Sequence, residues 1–540
     1  MRNFPAIVLL LLLASCSVKK VDLIVHHARI YTVDSAFSVA EAMAVSEGKI
    51  VATGSNDDIL NHYSAKETID AEDKVIYPGF IDAHAHFLGY GKSLFEVNLF
   101  GCNSWSEVLQ RVQQFAASHG GETWIRGRGW DQNKFPGKQF PSNDSLNILF
   151  PDIPVLLTRV DGHAAIANAK ALELAGIQPG QTITGGEIET RDGKLTGLLI
   201  DNAEDLVTRQ IPEADAPVYE KRLAAAQRNC FAQGLTTITD CGVSYREVEI
   251  IDSLQEEGKL QMRLYLMLSD AKENYDAFLA KGPYKTDRLF VNGFKLYGDG
   301  ALGSRGACLL EPYSDKPGWH GFLLSDPSHF DSVANILSKT SFQMCTHAIG
   351  DSGNRTILNI YAKYLSADND RRWRIEHAQV VNPNDFAIFG AHHIVPSVQP
   401  THATSDMYWA KDRLGATRVK SAYAFKQLLQ QNGWLPLGTD FPVEDISPFK
   451  TFLAAVARKD ASGFPAGGFQ PENALSREET IRGMTIWAAK AGFLEKEVGS
   501  LEAGKKADFI ILDQDLMKVA ETDILKVKVL ATYVDGRKVH

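Results

Sequence analysis

Eight short apolar runs recur through the middle of this 540-residue chain, and helix-like segments separate most of them. Runs of this kind are typical of strands that are buried on both faces of a sheet. Strands that alternate with helices form parallel sheets, and eight such units close into a barrel. The pattern predicts an α/β fold, a (β/α)8 barrel of the TIM type, with strands at residues 76–86, 236–240, 263–268, 293–297, 344–348, 374–378, 394–399 and 435–440.

The gap between the first two strands is much longer than the other gaps. A typical barrel of this type needs about 250 residues in all, whereas the strands here are spread over residues 77–440. The excess predicts an insertion after the first strand, at about residues 95–215. We assign residues 77–495 to the barrel with this insertion.

Both ends of the chain have short strand-like patterns bounded by turn residues. Glu47-Gly48 predicts a hairpin turn near the start, and Asp535-Gly536 predicts a turn near the end. We expect the two ends to form one small β-sandwich, with its first part in residues 17–76 and its second part in residues 496–540. The strand-like runs lie at residues 21–30, 42–45, 49–52, 508–512 and 527–534.

The first residues have the pattern of an export signal. Arg2 is followed by an apolar run that is too short to span a bilayer as a stable helix. The run ends in LASC, which resembles a bacterial lipobox whose cysteine, Cys16, becomes lipidated. We expect residues 1–16 to be a lipoprotein signal peptide and the protein to be an exported, membrane-anchored lipoprotein facing the periplasm. A plain secretory signal is the alternative.

Composition excludes several classes of protein. The chain is 44% hydrophobic and 23% charged, which is typical of a globular protein and excludes disorder and collagen-like repeats. The net charge is −10 and there is no basic run, so we expect no nucleic-acid partner. The six cysteines include no CxxC pair, which argues against a cysteine zinc knuckle.

Metal-ligating residue types occur at the ends of several predicted strands. Asp82, His84 and His86 alternate along the first strand, so their side chains share one face. Two imidazoles in this arrangement can bind one divalent metal ion. Taken alone, an HxH pattern is a weak signal, because a single histidine is more often a satisfied core residue.

The same residue types recur on four later strands. Lys295, His347, His377 and Asp440 stand at or near the ends of the fourth, fifth, sixth and eighth predicted strands. In a closed barrel the carboxyl ends of the strands converge on the active site. We therefore expect these side chains to meet the two histidines of the first strand in one metal centre.

The motifs around these residues resemble the amidohydrolase superfamily and, within it, amidohydrolase family 3, which includes proteins similar to N-substituted formamide deformylase. The resemblance covers about residues 21–535. The motifs are PGFIDAHAHF at 78–87, DGHAAIAN at 161–168, KLYGDGALGSRGA at 295–307, HAIGD at 347–351, EHAQ at 376–379, GTDFPV at 438–443 and VGSLEAGKKADFIILD at 498–513.

The resemblance implies one or two divalent ions, with zinc expected. His84 and His86 would bind the more buried ion together with Asp440, and His347 and His377 would bind the second. Lys295 would bridge both ions as an N-carboxylate, because a charged lysine has no lone pair for a metal. Burial can lower a lysine pKa enough for reaction with carbon dioxide. An unmodified Lys295 in an ion pair, beside a single metal ion, is the alternative.

The implied activity is metal-dependent hydrolysis of a non-peptide carbon–nitrogen bond in a small molecule, such as an amide, a formamide or an N-acyl amine. A bound zinc ion makes hydroxide available near neutral pH. Asp440 would take the proton of this nucleophile and return it to the leaving nitrogen, acting as base and then as acid.

Three further residues are candidates for substrate binding. His163 lies in the insertion, Arg305 follows the fourth strand, and His402 follows the seventh. His163 is otherwise a turn histidine, and Arg305 otherwise braces its loop. Two alternative functions stay open: a hydrolase of cyclic ureides or lactones at the same site, and a catalytically inactive binding lipoprotein. The sequence does not specify the substrate or the oligomeric state.

Overall fold

The computed structural model describes residues 18–121 and 123–540. The predictions about the signal peptide and about lipidation of Cys16 lie outside these residues. Within the described ranges, no helix is both long enough and apolar enough to cross a membrane.

A parallel barrel forms the centre of the molecule, which confirms the predicted fold class. Its strands neighbour one another in chain order and pair in parallel. Inward side chains, among them Ile81, Tyr265 and Met267, pack into a core inside the barrel. The seven regular strands are Phe80–Ala85, Leu235–Val243, Arg263–Ser269, Leu289–Tyr297, Gln343–Ala348, Arg374–His377 and Val395–Ser397.

The eighth position is filled by an extended segment instead of the predicted regular strand. Residues 435–440 lie between the last and the first strand, where the N–H of Gly438 donates to the carbonyl of Val398 and that of Asp440 donates to the carbonyl of His84. Pro436 has no N–H for a strand ladder. Gly438 approaches the first strand so closely that a Cβ would lie 2.6 Å from the backbone nitrogen of His84. The barrel therefore closes through a few hydrogen bonds.

Helices surround the barrel and connect its strands. A buried outer layer of apolar side chains, such as Leu223, Ile251 and Phe330, packs them against the sheet. These helices are Phe87–Ser93, Ala216–Ala232, Tyr245–Glu256, Lys272–Phe278, Pro327–Leu337, Asp351–Tyr364, Phe386–Ala391, Pro400–Asp406, Ala410–Arg418, Phe425–Asn432, Pro448–Ala457, Arg477–Gly483 and Ile486–Ala491.

The two chain ends form a β-sandwich of two sheets with a shared apolar core. The hairpin predicted at Glu47-Gly48 is present, with both residues in the left-handed region. One sheet contains Lys49–Gly54, Ala42–Ser46, Lys19–His26 and Tyr63–Asp70. The other contains Arg537–Lys538, Val529–Val534, Phe509–Leu512, Val75–Pro78, Arg29–Tyr31 and Val39–Ala40.

Two predicted strands are each divided between two sheets. The predicted run 21–30 breaks at His27, whose φ of 51° ends the extended backbone. The predicted run 76–86 breaks at Gly79, between the sandwich strand Val75–Pro78 and the first barrel strand. A Cβ at Gly79 would lie 2.3 Å from the side chain of Thr236. Only glycine allows this close approach between sandwich and barrel.

The insertion after the first barrel strand has a sheet and a core of its own. Its strands are Gly186–Arg191, Lys194–Asp201, Ala164–Ala167, Val155–Arg159, Ile125–Trp130 and Val97–Asn98, in that spatial order. Its helices include Trp105–Ser118, Asp144–Leu149, Ala169–Leu174 and Asp205–Thr208. The exact limits of all three domains stay predictions.

Candidate active site

A cleft of about 1600 Å³ opens over the carboxyl ends of the barrel strands, between the barrel loops and the insertion. This is the edge at which barrel enzymes carry their active sites. His84 is fully buried behind its wall. The other predicted site residues that line the cleft are His86, His163, Lys295, His347, His377, His402 and Asp440.

Asp440 lies at the centre of this cluster. Its Oδ1 is 3.6 Å from Nε2 of His84 and 3.3 Å from Nε2 of His86, and its Oδ2 is 3.4 Å from Nε2 of His402. Asp440 Oδ1 and His402 Nε2 are buried, and neither makes a hydrogen bond to a described residue. A buried carboxylate oxygen without a donor needs another partner, such as a cation.

The backbone of two cleft-lining residues, His377 and Asp440, is in the left-handed region. His377 has a φ of 74° and Asp440 a φ of 63°, and Ala378 also lies in the left-handed region. Such conformations cost about 1–3 kcal/mol each in non-glycine residues and concentrate at functional sites. The strand ends therefore turn sharply where their side chains meet.

The donor set fits a divalent metal ion. A nitrogen of His84, a nitrogen of His377 and an oxygen of Asp440 lie within 4.8 Å of one another, and all three residues are buried. Zinc binds such nitrogen and carboxylate ligands. His86 was expected in this group and His377 at a second ion. Nε2 of His86 lies 3.3 Å from Oδ1 of Asp440, so His86 also borders the group, and the division of the ligands between two ions stays a prediction.

The protonation states of the cluster suit metal binding. Burial and then the charge of Lys295 lower the pKa of His84 to about 4. Burial also lowers the pKa of His347 and His377 well below the usual value. Burial opposes ionisation of Asp440, but His402 and His86 outweigh it and hold the pKa of Asp440 well below its usual range. The neutral forms of His84, His347 and His377 and the carboxylate form of Asp440 are therefore favoured.

His84 is oriented by a buried ion pair that no sequence motif indicates. Its Nδ1 lies 2.5 Å from Oε2 of Glu376, and Arg374 Nη2 donates to the same oxygen at 2.8 Å. Burial alone would raise the pKa of Glu376, but the charges of Arg374 and then His84 outweigh it and lower the pKa. A carboxylate at Nδ1 leaves Nε2 of His84 free for a ligand.

His347 and His377 form the other side of the cluster. Their ring centroids are 4.6 Å apart, and Nε2 of His347 is 3.5 Å from the carbonyl oxygen of Gly300. Nδ1 of His377 lies 2.7 Å from Oε1 of Gln399. The loop after His347 is held by Asp299, which accepts hydrogen bonds from the backbone of Ile349 and Gly350.

Lys295 is buried beside His84. Its Nζ is 3.5 Å from Nε2 of His84 and 4.8 Å from the centre of the Tyr297 ring. Burial favours a lower pKa for Lys295, but Tyr297 and then Cys241 outweigh this, and its pKa is raised. Carboxylation of Lys295 stays a prediction.

The insertion supplies His163 to the same cleft. Its ring centroid lies 4.9 Å from that of His347, and Nδ1 is 2.6 Å from Oδ1 of Asp201. Asp201 ends a strand of the insertion and packs tightly against the barrel loop, where a Cβ at Gly300 or Gly306 would lie 2.3 Å from its Oδ2. Asp201 therefore fixes His163 and joins the insertion to the barrel.

Arg305 has a different environment from the other candidates. Its Nη2 donates to Oδ2 of Asp315 at 2.9 Å, within the loop that follows the fourth barrel strand. Arg305 is not among the cleft-lining residues of the described chain. These contacts support the loop-bracing alternative. His402 lines the cleft, and although burial opposes its charge, Asp440 raises its pKa to about 9.

A parallel barrel with histidine and aspartate ligands under a cleft is suited to metal-dependent hydrolysis. The sequence profile of the amidohydrolase family matches residues 67–540, and the chain belongs to this family. The fold and the family therefore identify this protein as a metal-dependent hydrolase.

Known proteins resemble the chain over nearly its full length. Protein LONG AFTER FAR-RED 3 of Arabidopsis thaliana is 34% identical, over 96% of this chain and 91% of that protein. The N-substituted formamide deformylase of Arthrobacter pascens is 26% identical, over 95% and 97%. The crystal structure of an uncharacterized metal-dependent hydrolase from Pyrococcus horikoshii OT3 superposes with a TM-score of 0.76 at 28% identity, over 92% and 99%.

Proposed function

We propose that this protein hydrolyses a non-peptide carbon–nitrogen bond in a small molecule of the amide, formamide or N-acyl amine type. The observation that carries the proposal is the carboxylate of Asp440, which has one oxygen without a donor among three histidines at the end of an accessible cleft. The likeness to N-substituted formamide deformylase supports this class of substrate.

Zinc is the proposed cofactor, because the donors are imidazoles and carboxylates. His84, His377 and Asp440 would hold one ion, and His86 contacts the same carboxylate. His347 stands next to this group and would serve a second ion, and Lys295 would join it only as an N-carboxylate. A bound zinc ion makes hydroxide available near pH 7 and polarises a carbonyl group.

In this proposal Asp440 carries out the proton transfer. Its carboxylate accepts the proton of the attacking water as the oxygen bonds to the carbonyl carbon. It then gives this proton to the nitrogen as the carbon–nitrogen bond breaks. The products are an acid, which is formate for a formamide, and an amine. Amines are poor leaving groups until they are protonated, so this acid role is essential.

The cleft has room for a substituted amine. Its volume of about 1600 Å³ exceeds the 300–1,000 Å³ typical of a site for one small ligand. His163 and His402 line it from the insertion and from the loop after the seventh strand. Both would contact the polar atoms of a substrate, and the remaining volume would accommodate its nitrogen substituent.

The test compares wild-type protein with Asp440→Asn on N-formyl amines, N-acyl amines, a cyclic ureide and a lactone. Asn keeps the shape of the side chain but cannot accept the proton. We expect kcat on the preferred amide to fall by about 10²–10⁴-fold, the usual contribution of a general acid–base group. Asp57→Asn, on the surface of the sandwich, is the matched control.

The proposal fails if Asp440→Asn retains a rate within a few-fold of the wild type. Turnover of the ureide or the lactone alone would move the activity to that substrate class. If the zinc-loaded protein turns over none of the four compounds but still binds them, the binding lipoprotein becomes the better account.

A further inference from the structure

A second group of metal-ligating side chains lies on the β-sandwich. His26 ends the strand Lys19–His26 and Asp70 ends the parallel strand Tyr63–Asp70, where the two residues are directly paired. His27 follows with a φ of 51°. Neighbouring side chains of an extended strand point to opposite faces. The left-handed backbone at His27 ends this alternation, and the two rings lie with their centroids 4.6 Å apart.

The distances within this group are those of ligands around one metal ion. Nδ1 of His26 is 3.2 Å from Nδ1 of His27, which is 3.1 Å from Oδ2 of Asp70. One ligand atom from each of the three residues lies within 4.8 Å of the other two. Tetrahedral zinc with bonds of about 2.0–2.1 Å places neighbouring ligand atoms about 3.3 Å apart.

His27 Nδ1 cannot make both of these contacts as full, linear hydrogen bonds. A ring nitrogen carries either one proton or one lone pair. If His27 Nδ1 donates its proton to Asp70, it has no lone pair to accept from His26. If it accepts from His26, it has no proton for Asp70. A cation between the three atoms would use a lone pair from each of them.

The surroundings hold the group in place and leave it accessible. Oδ1 of Asp70 accepts from the backbone of Glu72 at 3.0 Å, so Oδ2 is left for the group. The backbone N–H of His27 donates to Oδ1 of Asn56 at 2.8 Å. The side chains of His27 and Asp70 are 51% and 53% exposed. A metal ion can reach the site from solvent, and water can complete its coordination.

We propose that His26, His27 and Asp70 form a peripheral binding site for a divalent transition-metal cation of the zinc type, separate from the barrel site. Bound metal would link the edge strand Tyr63–Asp70 to its neighbour in the sandwich. The site contains no residue of the barrel. Its test is therefore independent of the proposed hydrolase activity.

The test is zinc titration by equilibrium dialysis of folded protein whose barrel site already contains zinc. Wild type is compared with His27→Asn. Asparagine tolerates the left-handed backbone and lacks the imidazole ligand. We expect wild type to bind one zinc ion per chain more than His27→Asn, with hydrolytic rates unchanged. His62→Asn is the matched control, because His62 is exposed and its only hydrogen bond in the described chain is the one that Nδ1 donates to the carbonyl of Asp58.

A second variant, His26→Gln, and far-UV circular dichroism guard against an effect of misfolding. We expect His26→Gln to lose the same ion and both variants to keep the wild-type spectrum. Cobalt titration should give a visible absorption band that both variants lack. Equal zinc stoichiometry in wild type and His27→Asn, or equal loss in His62→Asn, would overturn the proposal.

Discussion

Single residues outside the candidate ligand set decide the geometry of the barrel site. Glu376 is fully buried and holds Nδ1 of His84, while Arg374 neutralises Glu376 and donates to the carbonyl of Ala83. Carboxylates in this position fix the orientation and tautomer of a metal-binding histidine. Glu376 of the sixth strand therefore determines the orientation of the His84 ring on the first strand.

Glu376→Gln tests this arrangement. The amide removes the negative charge at Nδ1 of His84, so we expect the affinity of the barrel site for zinc to fall by about 10–100-fold. The measurement is competition with a chelator of known affinity. Glu256→Gln, on an exposed helix surface, is the control and should bind zinc as the wild type does. Unchanged affinity in Glu376→Gln would show that His84 is oriented in another way.

Most residues of the barrel site could be predicted because they stand at strand ends, while a family motif added His163 of the insertion and the position after the seventh strand added His402. His84, His347, His377 and Asp440 stand at strand ends, and the barrel brings strand ends together. Their supporting partners could not be predicted in the same way. Glu376 meets His84 across 292 residues of sequence, and Asp201 meets His163 across 38 residues of the insertion. No local periodicity reports such contacts.

At the scale of elements, the loop after the fourth barrel strand connects the site to its surroundings. Asp315 accepts from Arg305 at 2.9 Å and pairs with Arg413, whose helix follows the seventh strand. Most predicted strands are present because their apolar runs are long enough to be buried. The exceptions occur at His27, Gly79 and Gly438, where one backbone conformation or one close approach determines where a strand ends. An apolar pattern does not contain that information.

Asp315→Asn and Arg305→Gln test the loop. Burial raises the pKa of Asp315, but Arg305 and Arg413 outweigh it and lower the pKa. A lowered folded-state pKa contributes stability above the unfolded value of about 3.9, and this contribution is lost as the pH falls through the folded-state value. We expect Asp315→Asn to reduce the free energy of unfolding by about 1–3 kcal/mol at pH 7, with a smaller difference below about pH 4.

Urea unfolding at several pH values measures this effect, and steady-state kinetics measure the role of Arg305. If Arg305 braces the loop, Arg305→Gln should change KM by less than about threefold. A charged hydrogen bond to a substrate is worth roughly 1.5–3 kcal/mol, so its loss would raise KM by at least about tenfold. A tenfold or larger increase in KM would show that Arg305 binds the substrate.

At the scale of the whole molecule, the two chain ends share one sandwich that is fastened to the barrel. Arg263 of the third barrel strand pairs with Asp508 at 3.2 Å and with Asp535 at 3.0 Å, both in the C-terminal part of the sandwich. The hydroxyl of Thr532 donates to the carbonyl of Phe231 at 2.7 Å. The β-rich ends indicated a sandwich, whereas this attachment depends on contacts between distant segments.

We further propose that the chain is exported and anchored to a membrane through lipid on Cys16. The sequence that ends at Cys16 is the basis for this proposal. Full-length protein should then fractionate with membranes and incorporate labelled fatty acid, whereas Cys16→Ala should do neither. Ser17→Ala is the control and should behave as the wild type does. Equal fractionation of all three proteins would contradict a lipid anchor.

The most direct test of metal-dependent hydrolysis is the metal content of the protein lacking residues 1–16, measured together with its rate on the preferred amide. The measurement is made in the His27→Asn background, so that the peripheral site does not contribute. We predict one or two divalent ions per chain, loss of hydrolysis on chelation, and recovery on addition of zinc. Protein purified without chelators that contains no metal, and that gains no hydrolysis from zinc or manganese, would contradict the account.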